Sequence, residues 1–234
     1  MLNVLVACEE SQTVCKAFRA RGFNAFSCDI QDCSGGHPEW HIMGDVLPLL
    51  NGNISFVTRG GCRETVKGRW DLIIAHPPCT YLSNAGAARL YKVINGETYI
   101  LRSRFEKGMD AKEFFMEMLN ADCNLVAVEN PVPSGVYRLP QYAQAIQPYE
   151  YGHPFKKKTC LWLKGLPKLK PTRIVEADIS WVSGGSKNAN GTKRNNCGMK
   201  FRDSKTKSKT FQGIADAMAE QWGDYLLKET NEPI

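Results

Sequence analysis

At 234 residues with a net charge of +6, the chain can bury one substantial core but not two full-sized domains. No stretch approaches the ~20 apolar residues of a membrane span, which argues against a membrane partner. Nine cysteines, an odd number without paired spacing, argue for reduced thiols in a soluble, cytoplasmic protein rather than a disulfide-stapled one.

The chain opens without a basic leader on Val4-Leu5-Val6-Ala7, an apolar run that reads as a buried strand. From about Ser11 to Arg21 helical spacing puts Val14, Ala17 and Phe18 on one face, and Gly22 stops the helix. Phe23 to Cys28 is the next strand, ending at Asp29. A β-α-β unit whose second strand ends in an acid is the arrangement that holds the ribose of an adenosine-type cofactor. In place of the usual Gly-rich first turn stands Cys8-Glu9-Glu10-Ser11-Gln12. Gly44-Asp45-Val46 places a second carboxylate toward the same ligand, or caps a helix over Leu47 to Leu50. Cys28, Cys33, His37 and His41 lie within 14 residues, but their spacing matches no common zinc finger and Gly35-Gly36 with Pro38 reads as a turn, so no metal is expected. Residues 51–69 read as a β-hairpin around Gly60-Gly61.

Trp70-Asp71-Leu72-Ile73-Ile74-Ala75-His76-Pro77-Pro78-Cys79 is a short apolar run that breaks on a double proline and then presents one thiol. Leu125-Val126-Ala127-Val128-Glu129-Asn130-Pro131 repeats the geometry with a carboxyl. Parallel strands of an α/β sheet end at one edge, so Cys79 and Glu129 can face one pocket across 50 positions of sequence. Between them, a loop rich in Ser83, Asn84 and Gly86 leads to a helical pattern through Lys112 to Leu119. Tyr149 to Leu163 reads as a hairpin, Ser183 to Asn196 as a mobile loop by composition, and Thr210 to Leu227 as a final helix with Ile214, Met218 and Trp222 inward.

Charge is unevenly spread. Residues 156–209 carry 15 Lys and Arg against 3 Asp and Glu, whereas residues 1–155 carry 14 against 16. A run this one-sided, interleaved with Trp162, Trp181 and Phe201, suits a polyanion gripped by its phosphates and stacked on aromatics.

Taken in order, these strings resemble the cytosine carbon-5 DNA methyltransferases. Pro78-Cys79 is similar to that family's nucleophile motif and Glu129-Asn130 to its E-N-V motif, with Pro131 in place of Val. Glu150-Tyr151-Gly152-His153-Pro154 through Thr159 resembles its D-Y-G-x-P-Q-x-R-x-R stretch, with Lys157 and Thr159 in place of the arginines. About 50 residues separate Cys160 from Ser208, far fewer than a usual target-recognition domain, as in compact phage-type orphan enzymes.

The resemblance implies a Rossmann-like S-adenosylmethionine-dependent α/β fold. Residues 1–160 would form the catalytic domain, 161–207 a short basic DNA-contact region, and 208–234 a helix packing back. It implies methyl transfer from S-adenosylmethionine to cytosine in DNA with low or unusual sequence specificity. Cys79 would be the nucleophile, Glu129 the acid at ring nitrogen 3, Asn130 the loop's anchor and Lys157 a clamp. Cofactor contacts would come from Glu10, Ser11, Gln12, Asp29, Ile30, Asp45, Val46, Pro78, Ser208, Lys209 and Thr210. DNA contacts would come from Lys156, Lys158, Lys193, Arg194, Lys200 and Arg202. Such chemistry asks for a Cys79 pKa that is depressed and a Glu129 pKa that is raised. Three other readings compete: the same Cys chemistry with another donor group, an amino-methyltransferase, and a non-catalytic DNA-binding protein. The amino-methyltransferases place an acid or Asn before two prolines and an aromatic after them, where this chain has His76 and Cys79.

Overall fold

A computed structural model describes residues 1–87, 89–177, 179–181 and 204–231. The apolar runs form one seven-stranded sheet. Its strands are β1 (Asn3–Ala7), β2 (Asn24–Asp29), β3 (His41–Met43), β4 (Leu72–Ala75), β5 (Val126–Pro131), β6 (Gln144–Ile146) and β7 (Thr159–Lys164). The spatial order is β6-β7-β5-β4-β1-β2-β3. Strands β1 to β5 run parallel to one another, and β7 lies antiparallel between β5 and β6. This is a Rossmann-like α/β fold. Its strand order reverses between β1 and β4, and ligands of open α/β sheets bind at the carboxyl ends of the strands flanking such a switch.

Alternation along the strands divides the core into two layers. Val4 and Val6 of β1, Leu72 and Ile74 of β4, and Ala127 of β5 face helices α1 (Thr13–Ala20) and α3 (Gln212–Asn231), meeting Phe18, Met218 and Trp222. Leu5, Ile73, Val126 and Val128 face the other way, onto Phe26, Trp70 and Trp162 and onto Phe115 and Met118 of α2 (Arg102–Leu119). The hairpin expected in residues 51–69 forms from Ile54–Val57 and Arg63–Val66 and lends Phe56 and Val66 to that second layer. The final helix also forms, preceded by a short turn at Ser204–Ser208.

The expectation of a hairpin over Tyr149 to Leu163 is corrected. Tyr149 lies in a 3-10 turn (Pro148–Glu150), Gly152 turns the chain at φ 85°, and β7 pairs instead with Gln144–Ile146 and β5. Proline at 148 and 154 cannot donate to a ladder there. A second hairpin, Tyr91–Ile94 with Glu97–Ile100, escaped the sequence reading although Asn95-Gly96 is a strong turn signal. All eight of its strand residues are exposed, so no inward-outward alternation marks it. The sheet itself continues to Lys164, past the boundary drawn at residue 160. No helix among the described residues is long and apolar enough to cross a membrane.

Candidate active site

The carboxyl ends of β1 to β5 form one rim. On its β4/β5 side the register Ala75↔Val128 puts the next two residues, His76 and Glu129, opposite each other on the α1/α3 face. They meet there: His76 Nδ1 lies 3.1 Å from Glu129 Oε2, with side chains 10% and 14% exposed. His76 is also tied to β1, its backbone N–H donating to Ala7 O at 2.9 Å. Beyond it, Pro78 is exposed and Cys79 half-buried. Asn130, on the opposite face of β5, is fully buried, and its Nδ2 donates to Pro77 O at 3.4 Å. That bond holds the double proline to β5.

Lys157 enters from the far side. Residues 156–158 alternate, with Lys156 and Lys158 exposed and Lys157 turned inward, as an extended chain requires. Lys157 Nζ donates to Lys209 O at 3.5 Å and lies 5.9 Å from the Phe211 ring centre, while Lys209 Nζ donates to Ser34 Oγ at 3.2 Å. Ser208-Lys209-Thr210 thus bridges the loop after β2 to the Glu129 side of the rim. His153 accepts the backbone N–H of Gly213 at 2.9 Å and so docks the start of α3 beside it.

Charge at this side departs from the expectation. Burial alone drives the Glu129 carboxyl upward. The hydrogen bond from His76, the charges of Lys157 and His76, and the Thr159 hydroxyl outweigh it and hold the carboxyl below its ordinary range. Burial pushes the Cys79 thiol up, Glu129 adds to this, and Lys157 offsets only part. The free site therefore keeps its proton on sulfur and leaves the carboxylate ionised, the reverse of the distribution the chemistry was expected to need. The reason is placement: Lys157 and Thr159 both act on Glu129, while only Lys157 of the two acts on Cys79.

On the β1–β3 side the acids are separate and more open. Asp29 accepts the N–H of Gln31 at 2.9 Å and Asp45 that of Leu47 at 3.1 Å, the latter at a short 3-10 turn. Both charges bear on Cys8, whose thiol is raised by burial first and then by Asp29, Cys28 and Asp45, so the two acids share one locale. Beside them Ile30 is 75% exposed and Val46 buried. Two carboxylates next to an exposed aliphatic side chain fit the ribose and adenine of a nucleoside cofactor.

The first turn does not fit as expected. Gln12 is fully buried, its Nε2 donating to His37 O (2.8 Å) and Ser27 Oγ (3.2 Å) and its Oε1 accepting from His37 N (3.0 Å). Its assignment to the cofactor is corrected: the amide fastens the loop after β2. Ser11 is buried with its hydroxyl 3.1 Å from that of Thr13, and Glu10 is buried with its carbonyl accepting from Ser34 N at 2.8 Å. Glu9 accepts from Val14 N (2.6 Å) and Cys15 N (3.1 Å), capping α1 with its own carboxyl. His41 uses both ring nitrogens within the fold, on Ser27 Oγ and Gln31 O, each at 2.9 Å.

Of the expected DNA contacts, Lys156 and Lys158 are exposed beside the rim, and Lys193, Arg194, Lys200 and Arg202 lie outside the described residues. The residue missed by sequence reasoning is His76. The available signal was its place one step past an apolar strand, in register with Glu129.

No protein-family model matches the chain, and neither does any curated protein. Among solved structures, it is similar to Entamoeba histolytica methyltransferase EhMeth, with a TM-score of 0.44 and 10% identity over 75% of this chain and 58% of that one. A DNA modification methyltransferase encoded within an E. coli prophage gives 0.38 and 15% over 70% and 46%. A Spodoptera frugiperda DNMT2 mutant gives 0.35 and 13% over 79% and 56%. The chain spans about half the length of these structures.

Proposed function

We propose that the protein is a DNA cytosine-5 methyltransferase working through a covalent bond to Cys79. The observation that carries this reading is the convergence of Cys79 and Glu129 past the ends of adjacent parallel strands, with Lys157 entering just before β7 and bearing on both. Carbon 5 of cytosine is a weak nucleophile. Bonding the Cys79 sulfur to carbon 6, with a proton taken up at ring nitrogen 3, shifts the double bond to carbons 4 and 5 and makes the ring an enamine that is a good one.

The proton inventory of the site suits that addition. As Cys79 Sγ bonds carbon 6, its proton leaves and ring nitrogen 3 gains one, with Glu129 bridging through hydrogen bonds. One proton thus serves both groups. When bound, S-adenosylmethionine supplies the methyl group that carbon 5 takes up, and Asp29, Ile30, Asp45 and Val46 would hold its nucleoside end. Loss of the carbon-5 proton to base then expels Cys79, which recovers its proton as ring nitrogen 3 gives one up. Lys157 balances the Glu129 charge beside the base. Carbon 6 is unreachable in a stacked duplex, so the base must be flipped out or already single-stranded. Lys156, Lys158 and the basic run through residue 209 would hold the backbone.

The test uses DNA incubated with the protein and S-adenosylmethionine, digested and analysed by mass spectrometry. The expected product is 5-methylcytosine. Cys79→Ser should yield none and should form no denaturation-resistant adduct with 5-fluorocytosine DNA. Methylated adenine, N4-methylcytosine, or turnover retained in Cys79→Ser would overturn the reading.

A further inference from the structure

His76 has a second ring nitrogen, and its position is informative. Nε2 is buried and has no hydrogen-bond partner among the described residues. An imidazole set against a carboxylate through Nδ1 carries a proton there, so Nε2 is the ring nitrogen left without a partner. A buried polar atom without a partner is costly, and such atoms in folded proteins call for a reason. Here backbone geometry fixes where both ring nitrogens lie. The His76 main chain is bonded to Ala7, and the register from Ala75↔Val128 sets its side chain beside Glu129. The ring is therefore directed by the sheet.

We propose that His76 is the positioning residue for Glu129: by donating Nδ1–H to Oε2 it fixes the carboxyl at the strand rim, where the substrate base would meet it. The role rests on the methyltransferase reading. A Glu129 carboxylate held low by His76 adds to the burial that raises the Cys79 thiol. If Glu129 held a proton beforehand, Cys79 would have to lose its own to solvent before attack, and the paired transfer would be lost.

The groups facing the pair are Cys79 beyond β4, Lys157, Thr159 and Cys160 at β7, and Glu9 from the turn after β1, whose carboxyl feels His76. Burial raises Glu9 before His76 and the α1 backbone lower it in part. Because His76 lowers the Glu129 pKa, removing it must move that pKa up, toward neutrality.

The experiment is a carbon-13 NMR titration of glutamate-labelled free protein, with the Glu129 signal assigned by Glu129→Gln, alongside turnover and adduct formation. In His76→Ala the Glu129 titration should move to higher pH, and so should the acid limb of kcat/KM. Loss of an orienting partner should lower kcat by about 10- to 100-fold with KM for DNA little changed. His76→Asn keeps an N–H donor and should restore part of both the titration and kcat. An unmoved titration in His76→Ala, or a moved titration with unchanged kcat, would overturn the role while Cys79-dependent methylation stood. If the unaltered protein formed neither 5-methylcytosine nor the 5-fluorocytosine adduct, the methyltransferase reading would fall and the role with it, whatever the titration did.

Discussion

The two sides of the strand rim are built differently. Around β4 and β5, Asn130 is buried, the His76 and Glu129 side chains are nearly so, and all three are bonded across long stretches of sequence. Around β2 and β3, Asp29 and Asp45 lie toward solvent, and each accepts a backbone N–H only two residues away. A short-range turn bond leaves a carboxylate with lone pairs free for a ligand, whereas the enclosed pair is shaped mostly by its protein neighbours. On the proposed function, the open side would receive the cofactor and the enclosed side would prepare the reaction.

That contrast breaks most visibly if the open acids are not cofactor ligands. Asp29→Ala should cost roughly 1.5 to 3 kcal/mol of S-adenosylmethionine affinity by removing a charged hydrogen-bond acceptor. Asp45→Ala should weaken binding too, both read by calorimetry. Unchanged affinity in both variants would move the cofactor elsewhere. A stability effect sharpens the contrast next. Gln12→Ala removes an amide that satisfies His37 and Ser27 and should lower unfolding free energy by about 1 to 3 kcal/mol. Denaturant melts would report this. If Gln12→Ala instead left stability intact and abolished cofactor binding, Gln12 would belong to the receiving side after all.

The smallest effect concerns the basic run. Replacing Lys193, Arg194, Lys200 and Arg202 together should weaken binding to all DNA sequences alike, lowering the salt slope by about one unit for each phosphate no longer neutralised. Loss of one preferred site with normal binding to random DNA would make the run a base reader.

Much of this was legible in the sequence. Val4 to Ala7, Leu72 to Ala75 and Val126 to Val128 are short apolar runs ending in punctuation, and in a parallel sheet that fixes both the strands and the shared edge of Cys79 and Glu129. The hydrogen bond of His76 could have been anticipated from register alone. The bonding of Gln12 could not, because it depends on how the loop after β2 folds back onto the first turn. The protonation pattern was hidden for a similar reason. Sequence supplies Lys157 as a cation near both groups, but only packing brings Thr159 onto the carboxyl and lets burial dominate at the thiol.

Glu9 carries a consequence of its own. In dinucleotide-binding folds of this general design, the free N–H groups at the start of the first helix seat a pyrophosphate, and glycines let the backbone come close to it. Here the chain has placed its own carboxyl in that seat, on Val14 and Cys15. A nicotinamide or flavin dinucleotide would have to evict a buried side chain before its phosphates could dock there. The same cap accounts for a turn, Cys8-Glu9-Glu10-Ser11-Gln12, without a single glycine: what meets the start of the helix is the chain's own carboxyl.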